Sequence, residues 1–255
     1  MSDIKLFQVG KDKASVTELF SQAAKLEKDL QQLVEKHMES FLGVRFLASE
    51  FTTSNGGRID SLGLDENGCP VIIEYKRHTN ENVINQGLFY YDWLLDHKAE
   101  FQLLVMNGLG NEVSDDIEWD GARLICIASD FNRYDEHAIK QIDKNIELMR
   151  YKHFGSDLLM LELVNTQSTK ANQNTKSGKV SSNQSTLPND KSHKHRLSIS
   201  SKSLLSLYDD ICDFCESLGD DSQRKELKLY TAFKRIKNFA SFHVLPQKKD
   251  ERIVM

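Results

Sequence analysis

The sequence predicts an α/β fold, a mixed sheet flanked by helices in the order α-β-β-β-α-β, followed by a small α+β domain. Three observations predict it. Hydrophobic periodicity along residues 1–164 changes from helical spacing to strand alternation and back. Two clusters of turn residues separate three consecutive strand-like runs. A stretch over 165–202, rich in Ser, Asn, Thr, Gln and Lys and almost free of large apolar residues, then divides the chain.

Taken in order, Val16, Leu19, Phe20, Ala23, Leu26, Leu30, Leu33, Val34 and Met38 recur at helical spacing and predict one long amphipathic helix. Strand-like runs follow at 44–51, 58–64 and 71–76, the second alternating at Ile59 and Leu62. Between them, Asn55-Gly56-Gly57 and Glu66-Asn67-Gly68 tolerate positive φ, so both connections are expected to be hairpins. A helix over 81–97 comes next, then apolar strands at 101–106 and 122–128, a helix over 134–151 and a strand at 158–163. Gly108-Leu109-Gly110 lacks the third glycine of a dinucleotide fingerprint and reads as a turn.

The 165–202 stretch cannot offset its ordering entropy by burial and is expected to be a flexible linker, His193 and His195 included. Over 203–255, Leu204, Leu207, Ile211, Phe214 and Leu218 predict a helix that Gly219 ends. A second helix near Leu227 and a strand over 239–245 are expected after it. Residues 252–255 resemble the first residues of a strand cut short, which predicts an incomplete small domain.

The 255 residues carry 33 Lys and Arg against 38 Asp and Glu, for a net charge of −5. No apolar run approaches the roughly 18 residues that cross a bilayer, so a membrane-spanning helix is excluded. Residues 1–10 show no basic-then-apolar leader, and Cys69, Cys126, Cys212 and Cys215 form no disulfide pattern; a reducing cytoplasm is the expected setting. Cys212-Asp213-Phe214-Cys215 has no second ligand pair at zinc spacing and falls in a helix, so two partly buried thiols are expected. The charge is unevenly spread: 17 basic and 28 acidic residues over 1–164, seven basic and one acidic over 165–202, and nine of each after that. The acidic total therefore excludes a broad basic binding surface on the first domain and leaves local, salt-sensitive contact with nucleic acid open.

Chemistry concentrates in Gly57-Arg58-Ile59-Asp60 and Val71-Ile72-Ile73-Glu74-Tyr75-Lys76. Residues two apart on a strand share a face, so Glu74 and Lys76 point together, and the hairpin brings Asp60 to them. Two carboxylates that close repel as anions, and a hard divalent cation such as Mg²⁺ relieves the repulsion through oxygen ligands. A lysine beside them can orient a water for attack on phosphorus. The alternative is a solvated cross-strand ion pair of small energy.

With Gln86-Gly87-Leu88-Phe89-Tyr90 on the following helix, this constellation resembles the PD-(D/E)xK nuclease superfamily, and within it the RecB-type and NucS-like endonucleases. Ile59-Asp60 stands where the motif's name has Pro-Asp. The resemblance covers roughly 15–130 and implies a restriction-endonuclease-like core. It also implies Asp60 and Glu74 as ligands of Mg²⁺ or Mn²⁺ with the Tyr75 main-chain carbonyl as a third, and Lys76 positioning water. Glu27 on the first helix would support the metal, ahead of Glu35 and Glu39. Gln86 and Tyr90, which share a helix face, would line the substrate side. Arg77 is the flanking residue expected to contact phosphate, ahead of Arg58 and His78. Phe89 and Trp93 are expected in the core. The substrate class implied is DNA, with RNA, a homodimer and a protein partner held by the C-terminal domain left open.

That last domain is similar, through Leu207-Tyr208, Tyr230-x-x-x-Lys234 and Lys237-Asn238-Phe239-Ala240, to a small domain of unknown function found after nuclease-like domains. Some of its carriers are labelled predicted transport proteins, a role no apolar span here supports. The leading expectation is thus a metal-dependent endonuclease in a repair, restriction or defence setting. A nuclease fold kept for nucleic-acid binding or protein interaction, without cleavage, is the alternative, and an enzyme active only with a partner is a third.

Overall fold

A computed structural model describes residues 4–24, 27–77, 82–167, 192–219, 222–227, 229–247 and 250–255. The chain opens with a hairpin, β1 (Leu6–Val9) and β2 (Val16–Leu19), and a short β3 (Ser21–Gln22). Helices α1 (Glu27–Lys36) and α2 (Met38–Leu42) follow, and Gly43 stops α2 by taking the left-handed conformation at φ 64°. Strands β4 (Val44–Thr52), β5 (Arg58–Asp65) and β6 (Pro70–Lys76) form an antiparallel meander. After α3 (Val83–Asp96), α4 (Lys98–Leu109) and α5 (Asn111–Asp115), β7 (Arg123–Ala128) lies parallel to β6. Then come α6 (Arg133–Ile139), β8 (Asn145–Phe154) parallel to β7, and β9 (Leu158–Gln167) antiparallel to β8. Among the described residues these strands form one seven-stranded mixed sheet, ordered β3-β8-β7-β6-β5-β4 with β9 on β8. The succession α1-β4-β5-β6-α3-β7 follows the expected order.

The alternation of the central strands divides the core into two layers. Ile72, Leu124, Cys126, Ile146 and Leu148 face α3 and α4, whereas Val71, Ile73, Tyr75, Ile125 and Met149 face Leu30 and Val34 of α1. Each fully buried aliphatic side chain of this kind contributes about 1.5–3 kcal/mol.

Four expected elements differ. The long helix expected from Val16 begins only at Glu27, because Val16-Thr17-Glu18-Leu19 pairs as a strand with β1; Leu26 lies outside the described residues. Residues 101–106 are helical: Phe101 and Val105 are buried four apart while Leu103 and Met106 face outward, a distribution one short apolar run does not reveal. Conversely, the helix expected over 134–151 ends at Ile139, and 145–154 is a central strand whose interior Glu147 and Arg150 mimic a polar helix face. Near Leu227 there are two strands, β10 (Gln223–Glu226) and β11 (Thr231–Lys234), rather than a helix.

Within the stretch expected as linker, 168–191 lies outside the described residues, while 192–202 is ordered. Helix α7 (His193–Ser198) is capped by Ser192. His193 is buried, with Nε2 hydrogen-bonded to Tyr208 Oη at 3.1 Å and Thr231 Oγ1 at 2.9 Å. Helix α8 (Lys202–Ser217) then packs Leu204, Tyr208, Cys212 and Cys215 against Phe233, Phe242 and Val244. The second sheet runs β10-β11-β12-β13, with β12 Asn238–Gln247 and β13 Asp250–Val254.

A buried joint connects the two sheets at the base of β7 and β8. Arg123 Nε stands 3.1 Å from Asp65 Oδ2 and Arg123 Nη1 3.0 Å from both Glu147 oxygens, and Lys234 Nζ of β11 reaches Glu147 Oε1 at 2.6 Å. Tyr230 Oη and Asn238 Nδ2 each donate to Asn67 Oδ1 at 2.7 Å. Of the residues that carry the sequence resemblance in 203–255, Tyr230, Lys234 and Asn238 grip the first sheet, while Tyr208 is buried in the small core. All four cysteines are free and buried; Cys69 belongs to the joint, beside Gly121 and Leu227.

Candidate active site

Asp60 sits near the start of β5 and Glu74 near the end of β6, just past the last ladder pair of Ser61 with Ile73. The Asp60 amide donates to Glu74 Oε1 at 3.2 Å, and the Tyr75 amide donates to Asp60 Oδ2 at 3.0 Å. Glu74 is fully buried, and its Oε2 has no hydrogen-bond partner. Burial and the facing Asp60 carboxylate push its pKa up to about 9. The Asp60 pKa is also raised by burial, against the Tyr75 amide and the Lys76 charge.

Lys76, two residues beyond Glu74, is mostly shielded, and its Nζ lies 3.5 Å from Glu27 Oε1. Glu27 opens α1, and its Oε2 accepts from the Arg77 amide at 3.1 Å; the Arg77 side chain is exposed. The structure therefore brings Asp60, Glu74, Tyr75, Lys76 and Glu27 together at one end of the sheet, with Glu27 against the lysine. On α3, Gln86 Nε2 donates to Tyr90 Oη at 3.2 Å, and that oxygen accepts from the Arg58 amide at 3.3 Å. This ties the helix to β5 two residues before Asp60. Tyr90 is buried and Trp93 packs on Phe51, but Phe89, expected in the core, is about half exposed. His78 lies outside the described residues.

Gln31, Ser61 and Glu50 take part without having carried a motif, and Glu35 had stood only as an alternative to Glu27. Gln31, one turn beyond Glu27, is buried and donates to the Asp60 carbonyl at 2.8 Å and to Glu35 Oε1 at 2.9 Å. Glu35 accepts from Ser61 Oγ at 2.7 Å, and Ser61 Oγ lies 3.3 Å from Tyr75 Oη. Glu50, a left-handed residue at φ 54°, holds Lys28 at 2.6 Å and Arg58 at 2.7 Å, and the Lys28 hydrogen bond lowers its pKa. The signal that could have found Gln31 is its place midway in the Glu27-x₃-Gln31-x₃-Glu35 spacing, which lines one helix face.

The donor set fits a hard divalent cation: two converging carboxylates, one with a buried and unpartnered oxygen. Among the described residues no group of three His, Cys, Asp or Glu side chains converges. The described residues contain no helix long and apolar enough to cross a membrane.

No family model matches the chain. Over 247 residues it is 31% identical to an uncharacterized protein of Haemophilus influenzae, the match taking in 94% of this chain and 80% of that one. Among solved structures it is similar to a repair endonuclease from Pyrococcus abyssi, at 18% identity and a TM-score of 0.35, over 53% of this chain and 50% of that one. It is also similar to EndoMS in apo form, at 18% identity and a TM-score of 0.30, over 49% of this chain and 47% of that one. An EndoMS–dsDNA complex matches at 16% identity and a TM-score of 0.30, over 53% and 51%. The chain spans about half the length of these structures.

Proposed function

Since the chain belongs to one family with the uncharacterized Haemophilus influenzae protein, a kinship that brings no activity with it, we propose from its own residues that it is a phosphodiester hydrolase acting on DNA with Mg²⁺ or Mn²⁺. The observation that carries this is the converging Asp60–Glu74 pair, with Glu74 fully buried, its Oε2 unpartnered and Lys76 beside it. A structural ion pair has no use for a second buried carboxylate without a cation. The resemblance of Asp60, Glu74-Tyr75-Lys76 and Gln86-x-x-x-Tyr90 to PD-(D/E)xK nucleases supports the substrate class.

Asp60, Glu74 and the Tyr75 carbonyl would hold the metal, which when bound would supply positive charge against the negative charge that develops on the phosphoryl oxygens. Lys76, steadied by Glu27, orients the attacking water. Its oxygen bonds to phosphorus, the P–O3′ bond breaks, and a proton passes to the leaving oxygen, giving a 5′-phosphate and a 3′-hydroxyl. Gln86 and Tyr90 line the substrate side, and Arg77, exposed next to Lys76, contacts a phosphate.

Asp60→Ala and Lys76→Ala proteins, with circular dichroism unchanged, are expected to lose Mg²⁺-dependent cleavage of duplex and single-stranded DNA by at least about a hundredfold. Full cleavage in both variants would sink the assignment. Binding of DNA in EDTA, with no product after long incubation in either metal, would move the protein to the class of nucleic-acid-binding modules.

A further inference from the structure

We infer that Gln31 is a positioning residue for the candidate metal site, a strut that fixes where the Asp60 carboxylate stands. The inference rests on the metal-dependent reading above and deepens it. Two carboxyl groups that are to share one cation keep their spacing only if the backbone that bears them is held; past the Ser61–Ile73 pair β6 no longer pairs with it, and the β4 pairing skips Asp60 between Ser49–Ser61 and Phe51–Ile59. The hydrogen bond from Gln31 Nε2 to the Asp60 carbonyl supplies that restraint at 2.8 Å, from a side chain that is 4% exposed.

The strut is itself braced. The same Nε2 lies 2.9 Å from Glu35 Oε1, one turn further along α1, and 3.3 Å from Ser49 Oγ on β4. Glu35 Oε1 also accepts from Ser61 Oγ, next to Asp60 in the chain. Glu27, one turn the other way, holds Lys76 and the Arg77 amide. Glu27, Gln31 and Glu35 thus form one ladder along α1 that touches the site at residues 60, 61, 76 and 77. Leu30 and Val34 anchor the helix in the core beside it. Gln31 touches neither carboxylate, so it acts through the backbone of Asp60. A buried glutamine costs free energy unless its amide is used, and here each amide hydrogen has an acceptor.

The test is Gln31→Met, of the same length without the donor, titrated with Mn²⁺ by calorimetry in the absence of nucleic acid, with Asp60→Ala as reference. The expected result is an affinity about tenfold weaker than the parent's. In cleavage assays the half-saturating Mn²⁺ rises by the same factor, while the rate at saturating Mn²⁺ returns to within about twofold. A merely structural role would lower the melting temperature without that split. If Gln31→Met does not fold, Glu35→Ala, which removes the brace one turn further along α1, is measured in its place, and an affinity equal to the parent's overturns the inference. A folded Gln31→Met protein with unchanged Mn²⁺ affinity overturns the strut and leaves the metal reading standing. A parent protein that binds no Mn²⁺ overturns both.

Discussion

Glu74 holds its proton at neutral pH, because burial and the facing Asp60 carboxylate outweigh the nearby Lys76 charge. Its folded pKa of about 9 lies above the 4.5 of the unfolded chain. The stability it contributes is therefore full below pH 4.5 and falls as the pH rises through about 9. Glu74→Gln should remove that alkaline loss. In metal-free buffer near the upper end of this window the variant is expected to be about 1–4 kcal/mol more stable than the parent, while losing cleavage altogether. A melting temperature equal to or below the parent's there would show that Glu74 is not held uncharged. Asp60, Glu74 and Lys76 were legible in the sequence because a strand's period of two and a hairpin turn suffice to converge them. Gln31 was not: its use is set by an acceptor 29 positions away, and the Glu27-x₃-Gln31-x₃-Glu35 spacing marks a helix face without saying what that face meets.

The same division recurs among the elements. The β4-β5-β6 meander was readable because turn glycines punctuate it and its core positions alternate. Strand β8 was not, since Glu147 and Arg150 are interior charges whose partners, Arg123, Lys234, Asp130 and Glu162, come from other elements. Helix α4 was missed because its apolar stretch is shorter than two turns and fits either period. Within the meander, Gly63 is a point of closest approach. A Cβ there would stand 2.3 Å from Val44 Cγ1 and 2.8 Å from the Arg45 carbonyl oxygen, next to the register shift between β4 and β5. Gly63→Ala is expected to cost about 1–3 kcal/mol in denaturant unfolding, because the Arg45 backbone must move as well as the Val44 side chain. A neutral outcome would mean that β4 is looser against β5 than its register implies.

For the molecule as a whole, the joint between the sheets lies at the end of β5, β6 and β7 opposite the carboxylates, so the second sheet leaves the candidate site uncovered. Burial opposes ionisation of Glu147, but the Arg123 and Lys234 charges outweigh it and bring its pKa to about 2. Its contribution is therefore complete above pH 4.5 and is lost as the pH falls toward 2. Acid titration followed by calorimetry should show destabilisation over that window, and Glu147→Gln should flatten it. Lys234→Ala breaks the buried pair and is expected to cost about 3–5 kcal/mol. The interior thiols turn this layout into a built-in clock. Burial holds each thiol pKa up, so a thiol reagent modifies a cysteine only when its surroundings open. Cys212 and Cys215 report the small core under α8, Cys69 the joint, and Cys126 the middle of the main sheet. Stepwise labelling in that order, with Lys234→Ala hastening Cys69 and leaving Cys126 unchanged, would time the separation of the two sheets apart from the melting of either.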